Sequence, residues 1–173
     1  MMNRGDPIPA WYSDPAVIDI LRSLMPPLHR RGFVLFFTGL SGGGKTTITR
    51  GLISRLQSLL PTRRVTVLDG DVVRTHLSKG LGFSIADRNT NVARIGWVAA
   101  ETARQGGVVI ASAIAPFEAG RAGAHRLVEA AGAGWLTIHV ATSLATCAVR
   151  DVKGLYRSAG TGRIDLTGVS HPW

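Results

Sequence analysis

A glycine-rich loop directly behind a short apolar run constrains the fold of this chain more than any other feature. The run covers residues 33–37, and residues 39–47 read Gly-Leu-Ser-Gly-Gly-Gly-Lys-Thr-Thr. This segment matches the phosphate-binding pattern G-x-x-x-x-G-K-[ST]. The fixed positions are Gly39, Gly44, Lys45 and Thr46. An apolar strand before the loop and helical spacing after it are the context that this pattern requires.

Each residue type in the loop has a physical role in holding phosphate. Glycines let the backbone curve around an anion with its N–H groups pointing inward. Lys45 supplies a positive charge for the β- and γ-phosphates, and the Thr46 hydroxyl is a ligand for Mg²⁺. The pattern therefore predicts ATP and Mg²⁺ as cofactors. The predicted ATP-binding residues of the loop are Gly39, Leu40, Ser41, Gly42, Gly43, Gly44, Lys45, Thr46 and Thr47.

Strand-length apolar runs alternate with segments of helical spacing along the rest of the chain. The predicted strands are residues 33–37, 65–68, 108–111 and 135–140, and the predicted helices are 15–25, 46–60, 91–105, 120–131 and 143–151. This alternation predicts an α/β fold of the P-loop NTPase-like kinase type, with a mostly parallel sheet and helices on both faces. Trp97 and Trp135 are predicted to be core aromatics.

Two aspartates close the second predicted strand, in the order Leu68-Asp69-Gly70-Asp71. Carboxylates at this end of a strand lie beside the phosphate loop, where they can hold Mg²⁺ or accept a proton from an attacking hydroxyl. The alternative is helix capping, which also favours Asp. Both roles can hold together.

Composition limits the remaining possibilities. The chain of 173 residues is 45% apolar, which is enough for one domain with one core. Its single cysteine excludes an internal disulfide and fits the cytoplasm. No apolar run is long enough for a membrane span. The net charge of +9 fits an anionic substrate or nucleic acid, but we find no nucleic-acid-binding motif and predict none as partner.

Further motifs follow the phosphate loop in a fixed order. They are Leu-Asp-Gly-Asp at 68–71, Leu-Gly-Phe-Ser at 81–84, Asp-Arg-x-x-Asn at 87–91 and Arg-Asp-x-Lys-Gly-Leu-Tyr at 150–156. Together with the loop they resemble the adenylyl-sulfate kinase (APS kinase) family over roughly residues 31–173. The resemblance implies transfer of the γ-phosphoryl of ATP to the 3′-hydroxyl of adenosine 5′-phosphosulfate (APS). The products are PAPS and ADP.

The resemblance also implies a role for each matching residue. The catalytic residues would be Asp71, Lys45 and Lys153, and the metal ligands Thr46 and Asp69. APS would be bound by Asp69, Arg74, Phe83, Arg88, Asn91, Ile114 and Lys153, with the Phe83 ring stacked on adenine. Cys147 and Arg150 would lie near the ATP base, and residues from about 151 to 167 would form a mobile lid.

A finer resemblance connects the chain with bifunctional proteins in which an ATP sulfurylase domain precedes the kinase. It rests on Ile114-Ala115-Pro116 and on the lead-in Ile8-Pro9-Ala10-Trp11-Tyr12 with Pro26-Pro27. We therefore predict a lead-in over residues 1–31, resembling the tail of a sulfurylase domain, and a kinase-like domain over 32–173. The family also implies a homodimer, and an ATP sulfurylase domain or subunit as a further partner.

Several departures from the family pattern fall on the APS side of the predicted site. Glu118 replaces a usual Arg. The family's Lys-Ala-Arg is Ser-Ala-Gly in this chain, so that Gly160 stands where the family has Arg. Leu166 replaces a Phe that would form the second face around adenine. The alternatives to an active APS kinase are a regulatory nucleotide-binding domain without turnover and a P-loop kinase for another hydroxyl substrate.

Overall fold

The computed structural model describes residues 7–9, 11–24 and 30–170 and contains one four-stranded parallel sheet. The strands are β1 (Phe33–Thr38), β2 (Val65–Asp69), β3 (Val108–Ser112) and β4 (Gly134–His139), in the order β2-β3-β1-β4. β1 pairs with β3 and β4, and β2 pairs with β3, always in parallel. All four carboxyl ends therefore meet at one edge.

Seven helices complete the described part of the chain. They are α1 (Pro15–Leu24), α2 (Lys45–Leu59), α3 (Gly70–His76), α4 (Ile85–Arg104), α5 (Glu118–Ala130), α6 (Leu144–Arg150) and α7 (Leu155–Gly160). No helix among these is long and apolar enough to cross a membrane. The lead-in residues Ala10, Pro26 and Pro27 lie outside the described residues.

The predicted α/β fold is confirmed, and each predicted strand and helix is present within a few residues of its expected bounds. The main correction concerns α4, which begins at residue 85 rather than 91. Ser84 caps it by accepting a hydrogen bond from the Asp87 backbone N–H. The polar sequence after this cap hid the first turns from an argument based on apolar spacing. The short helices α3 and α7 carry too few apolar residues for such spacing and were not predicted.

Side chains of β1 alternate between two cores. Val34 and Phe36 face the layer of α4 and α5, and Phe37 packs with apolar residues of α2 on the other side. Period-2 alternation in a doubly covered strand produces this division. The sheet is thus covered by helices on both faces, as predicted.

The two tryptophans that were predicted to be core aromatics differ in position. Trp135 stacks on Phe36 at a centroid distance of 5.0 Å, which confirms its place in the core. Trp97 is 59% exposed, so its predicted burial is wrong. At about 100° per residue, Trp97 falls on the far side of α4 from its buried face, which contains Ile95, Ala99 and Ala103.

Two glycines give a matched test of helix packing. A Cβ on Gly96 of α4 would lie 2.6 Å from the Ala124 Cβ of α5, whereas a Cβ on Gly51 of α2 meets nothing within 4 Å. We expect Gly96→Ala to lower the free energy of unfolding by about 1–3 kcal/mol. Gly51→Ala should raise it by up to about 1 kcal/mol. Urea unfolding of both variants checks this, and equal effects would contradict the close contact of α4 and α5.

Candidate active site

The phosphate loop connects β1 to α2 at the carboxyl edge of the sheet. Gly39 has a φ of 143° and Gly44 a φ of 97°, values that L side chains rarely adopt. Gly39 also passes so close to β4 that an added Cβ would lie 2.7 Å from the Val140 carbonyl oxygen. On the outer side, the Thr142 hydroxyl donates to the Gly43 carbonyl at 2.7 Å. The loop therefore packs against the segment that connects β4 to α6.

Lys45 lies across the loop that precedes it. Its ammonium donates to the carbonyl oxygens of Gly39 at 2.7 Å and Leu40 at 2.8 Å. Burial, and secondly the positive charge of Lys153, lower the pKa of Lys45 to about 8. The carboxylates of Asp71 and Asp69 and the Cys147 thiol act in the opposite direction.

Asp69 caps α3 and also contacts the phosphate loop. Its Oδ1 accepts from the Asp71 backbone N–H at 3.0 Å and caps α3. Its Oδ2 accepts from the Thr46 hydroxyl at 3.3 Å. The structure therefore brings the two predicted metal ligands together, one from the loop and one from the end of β2.

Lys153 reaches the same place from the segment between α6 and α7. Its ammonium forms an ion pair with Asp71 Oδ2, and both side chains are about half exposed or more. Exposed ion pairs contribute about 0–1 kcal/mol. A bound anion can therefore replace Asp71 as the partner of Lys153 at little energetic cost.

An aromatic ring and two arginines form the far side of the site. The Arg74 guanidinium lies over the Phe83 ring at 4.5 Å from its centroid, and the Arg88 guanidinium lies at 6.0 Å. Phe83 is still 62% exposed, which excludes the core position that a single Phe most often takes. The ring thus contacts two cations and is still largely exposed.

Arg88 is the most enclosed cation of this group. Its Nε donates to the Phe83 carbonyl at 2.7 Å, Nη2 donates to the Asp165 carbonyl at 3.1 Å, and Nη1 donates to the Thr167 hydroxyl. Burial, and secondly the charge of Arg74, lower its pKa from the ordinary value. Arg88 thus links the start of α4 to the segment that follows α7.

Asn91 and Ile114 are the remaining predicted APS residues. Asn91 is buried in α4, and its Oδ1 has no hydrogen-bond partner within the described residues. A buried amide oxygen without a partner is costly and marks a place for a donor. Ile114 follows β3 and is half-buried.

Two of the predicted ATP-side residues differ in exposure. Cys147 is fully buried in a cluster with Leu40, Tyr156 and Leu166, behind the phosphate loop. Arg150 ends α6 and is exposed. The Leu166 side chain is buried in that cluster. It therefore does not form a second stacking surface opposite the Phe83 ring.

Sequence reasoning overlooked the residues that hold the site from behind. Arg121 Nη1 donates to the carbonyls of Ala115 and Pro116, both at 2.7 Å, and thereby supports the φ of 44° at Ala115. Thr38 donates to the Ile114 carbonyl at 2.6 Å. No motif marks the local Arg121 contacts, and Thr38 and Ile114 are 76 positions apart along the chain.

The fold and the order of these groups match a known family. A protein-family model described as adenylylsulphate kinase matches residues 31–173. The chain belongs to the adenylylsulphate kinase family. The resemblance inferred from the motifs is thereby confirmed.

Relatives in this family are of two kinds. The adenylyl-sulfate kinase of Myxococcus xanthus is 50% identical over 143 residues, covering 82% of this chain and 76% of the relative. The sulfate adenylyltransferase of the fungus Neosartorya fischeri is 45% identical over 173 residues, covering 99% of this chain but 30% of the relative. The chain thus spans less than a third of the length of the fungal protein.

Solved structures agree with the family. An APS kinase from Mycobacterium tuberculosis, in complex with AMPPNP and APS, aligns with a TM-score of 0.77 and 39% identity, over 83% of this chain and 82% of that one. A hexameric APS kinase from Thiobacillus denitrificans aligns with a TM-score of 0.74 and 48% identity, over 80% of this chain and 28% of that one. The P-loop kinase fold is therefore shown.

The lowered pKa of Lys45 predicts a pH-dependent affinity for ATP. Only the ammonium form attracts phosphate, so affinity is highest below pH 8 and falls as the pH rises through 8. Between about pH 7 and pH 9 we expect the Kd of ATP with Mg²⁺ to rise about 10-fold. Titration calorimetry at each pH measures this Kd. Lys45→Arg keeps its charge and should show a much smaller change, and an equal change in both proteins would contradict the assignment.

Proposed function

We propose that this chain is an adenylyl-sulfate kinase. It transfers the γ-phosphoryl of ATP to the 3′-hydroxyl of APS and forms PAPS and ADP, as a step of sulfate assimilation. The observation that carries the proposal is the position of Asp71. It lies between Asp69, which contacts Thr46 of the phosphate loop, and the cation Lys153.

The reaction follows from these positions. The 3′-oxygen attacks the γ-phosphorus, the bond from that phosphorus to the β–γ bridging oxygen breaks, and ADP leaves. Asp71 orients the hydroxyl and accepts its proton. Lys45 and Lys153 neutralise charge that spreads over the transferred phosphoryl oxygens.

The residues at the loop fit Mg²⁺. This hard cation prefers oxygen ligands, usually one or two from the protein with phosphate and water completing the shell. The Thr46 hydroxyl and the Asp69 carboxylate, 3.3 Å apart, provide two such oxygens. Within the described residues no cluster of three or more His, Cys, Asp or Glu side chains offers a self-sufficient metal site. Thr46 and Asp69 would hold Mg²⁺, which would neutralise charge on the ATP phosphates.

The acceptor side fits an adenine nucleotide that carries a phosphosulfate. The exposed ring of Phe83 offers a stacking surface for a base. Arg74 and Arg88 beside it place positive charge near the anionic group. From the family resemblance we also assign Asn91 and Ile114 to APS binding.

The direct test is product formation. The chain with ATP, Mg²⁺ and APS should form PAPS and ADP in equal amounts, which chromatography of the nucleotides measures. Asp71→Asn removes the proton acceptor and should lower kcat about 10²- to 10⁴-fold while ATP still binds.

Lys45→Ala serves as the second control for this assay. No PAPS above the Lys45→Ala background, with ATP still bound by the unmodified chain, would favour a regulatory nucleotide-binding domain. Turnover of a different hydroxyl substrate but not APS would favour another P-loop kinase. Both results contradict the proposal.

Phe83 gives a sharp test of the acceptor site because α4 carries a matched aromatic. Phe83 and Trp97 are 62% and 59% exposed, yet only Phe83 lies in the candidate site. Loss of one stacking face costs about 1–3 kcal/mol. We expect Phe83→Ala to raise the KM for APS about 5- to 100-fold with the KM for ATP unchanged. Trp97→Ala should leave both constants unchanged, and a comparable rise in both variants would argue against stacking.

Glu118 tests whether the departures from the family pattern weaken APS binding. It is the first residue of α5 and is exposed. If its carboxylate faces the phosphosulfate, Glu118→Arg should lower the KM for APS about 10-fold. Steady-state kinetics at varied salt measures this. An unchanged KM would show that Glu118 points away from the substrate.

The assembly and the cellular place of the protein belong to the same proposal. We infer a homodimer, and an ATP sulfurylase domain or subunit as partner, from the resemblance to bifunctional relatives. Light scattering tests the oligomeric state. A cytoplasmic location fits Cys147, the single cysteine of the sequence, which is buried as a free thiol.

A further inference from the structure

The segment that carries Lys153 is fastened at both ends. We call residues 151–156, between the end of α6 and the start of α7, the lysine arm. Lys153 is exposed near its middle, and its ammonium extends across to Asp71. A long flexible side chain on an exposed turn holds a fixed position only when the backbone below it is held. The contacts at the two ends of the arm therefore decide where Lys153 can act.

The far end of the arm is bonded to the phosphate loop. The Tyr156 hydroxyl donates to the Ser41 carbonyl at 2.8 Å, a contact between residues 115 positions apart. Tyr156 and Ser41 are both buried, and the Tyr156 ring packs against Leu40, Cys147 and Leu166. The arm and the loop therefore share one small core and one direct hydrogen bond.

The Asp151 carboxylate joins the near end of the arm to its far end. Asp151 accepts from the backbone N–H groups of Tyr156 at 3.0 Å and Arg157 at 3.1 Å, and so caps α7. These bonds, that of Tyr156 first, lower the pKa of Asp151 from its ordinary value, so the cap is ionised at neutral pH. Asp151 itself has a φ of 24°, and Gly154 one of 67°, which turn the chain sharply on either side of Lys153.

We propose that Tyr156 is a positioning residue, whose hydrogen bond to Ser41 couples the phosphate loop to the lysine arm and thereby places Lys153 at the transferred phosphoryl group. The proposal rests on the proposed kinase function. Through this bond, a change in the loop on nucleotide binding is transmitted to the backbone that carries Lys153. Tyr156 touches neither nucleotide in this account and acts through the arm.

The hydroxyl, and not the ring, is what the inference requires. A buried Phe would fill the same cluster, so packing alone does not explain an O–H group there. Burial, followed by the neighbouring Cys147, raises the pKa of Tyr156 to about 12. The hydroxyl therefore stays a donor over the pH range of any kinase assay, and its effect on rate should be independent of pH below that range.

The first experiment compares the two tyrosines of the chain. Tyr156→Phe removes the bond to Ser41, whereas Tyr12→Phe removes a hydroxyl from a side chain that is 63% exposed. We expect Tyr156→Phe to lower kcat about 3- to 10-fold, the range for one neutral hydrogen bond. Its KM for APS should change less than about 2-fold, and Tyr12→Phe should match the wild type. An unchanged kcat in Tyr156→Phe overturns the proposal.

A double-mutant cycle separates positioning from general destabilisation. If Tyr156 acts through Lys153, then Tyr156→Phe should cost no further activity in a Lys153→Ala background. A loss of the same size in both backgrounds means that Tyr156 serves only the fold, and this overturns the proposal. Should Tyr156→Phe fail to fold, Asp151→Asn loosens the other end of the arm and should show the same non-additivity with Lys153→Ala.

Hydrogen exchange tests the coupling without any turnover. Adding ATP and Mg²⁺ should slow exchange of the Tyr156 and Arg157 amides in the wild type and in Tyr12→Phe, but at least about 3-fold less in Tyr156→Phe. Equal slowing in all three proteins overturns the proposal. If the wild type makes no PAPS yet shows this pattern, the kinase function fails and the coupling stands. The two failures are therefore distinguishable.

Discussion

The ammonium of Lys45, bonded to the carbonyls of Gly39 and Leu40, is the contact around which the site is organised. It holds the loop curled over the end of β1 and places a partly buried charge where phosphate would lie. Two further groups of the site contact this loop. Asp69 reaches it through Thr46, and Tyr156 reaches it through Ser41. The lowered pKa of Lys45 is the consequence of placing a cation in so enclosed a position beside Lys153.

Two sides of the site are built by different means. The predicted ATP side is formed mainly by the backbone of the phosphate loop. Its position is fixed by glycine conformations and by strands that end at one edge of the sheet. The acceptor side is made of long side chains, with Arg74 and Arg88 arranged around Phe83. Arg88 is also tied to residues 165 and 167, so the segment after α7 and the acceptor side are mechanically connected. Of the departures from the family pattern, Leu166 lies in the buried cluster behind the phosphate loop.

Much of the fold and of the site could be predicted because the signals were local. The strands, the loop and the helix α2 follow from apolar spacing and from one motif, and the family follows from the order of several short motifs. The prediction failed where the signal was weak or not local. Polar residues at the start of α4 concealed its first turns, and Trp97 was assigned to the core by its aromatic type although its helical spacing places it opposite Ile95, Ala99 and Ala103.

The sequence by itself determined the phosphate loop, the α/β class and the family, because each is recorded in short local patterns and in their order along the chain. The tertiary structure decided which of those residues meet. Lys153 and Asp71, Tyr156 and Ser41, and Arg88 and Thr167 are each separated by about 80 residues or more along the chain. Such contacts exist only once parallel strands bring their carboxyl ends to one edge, so no local pattern records them.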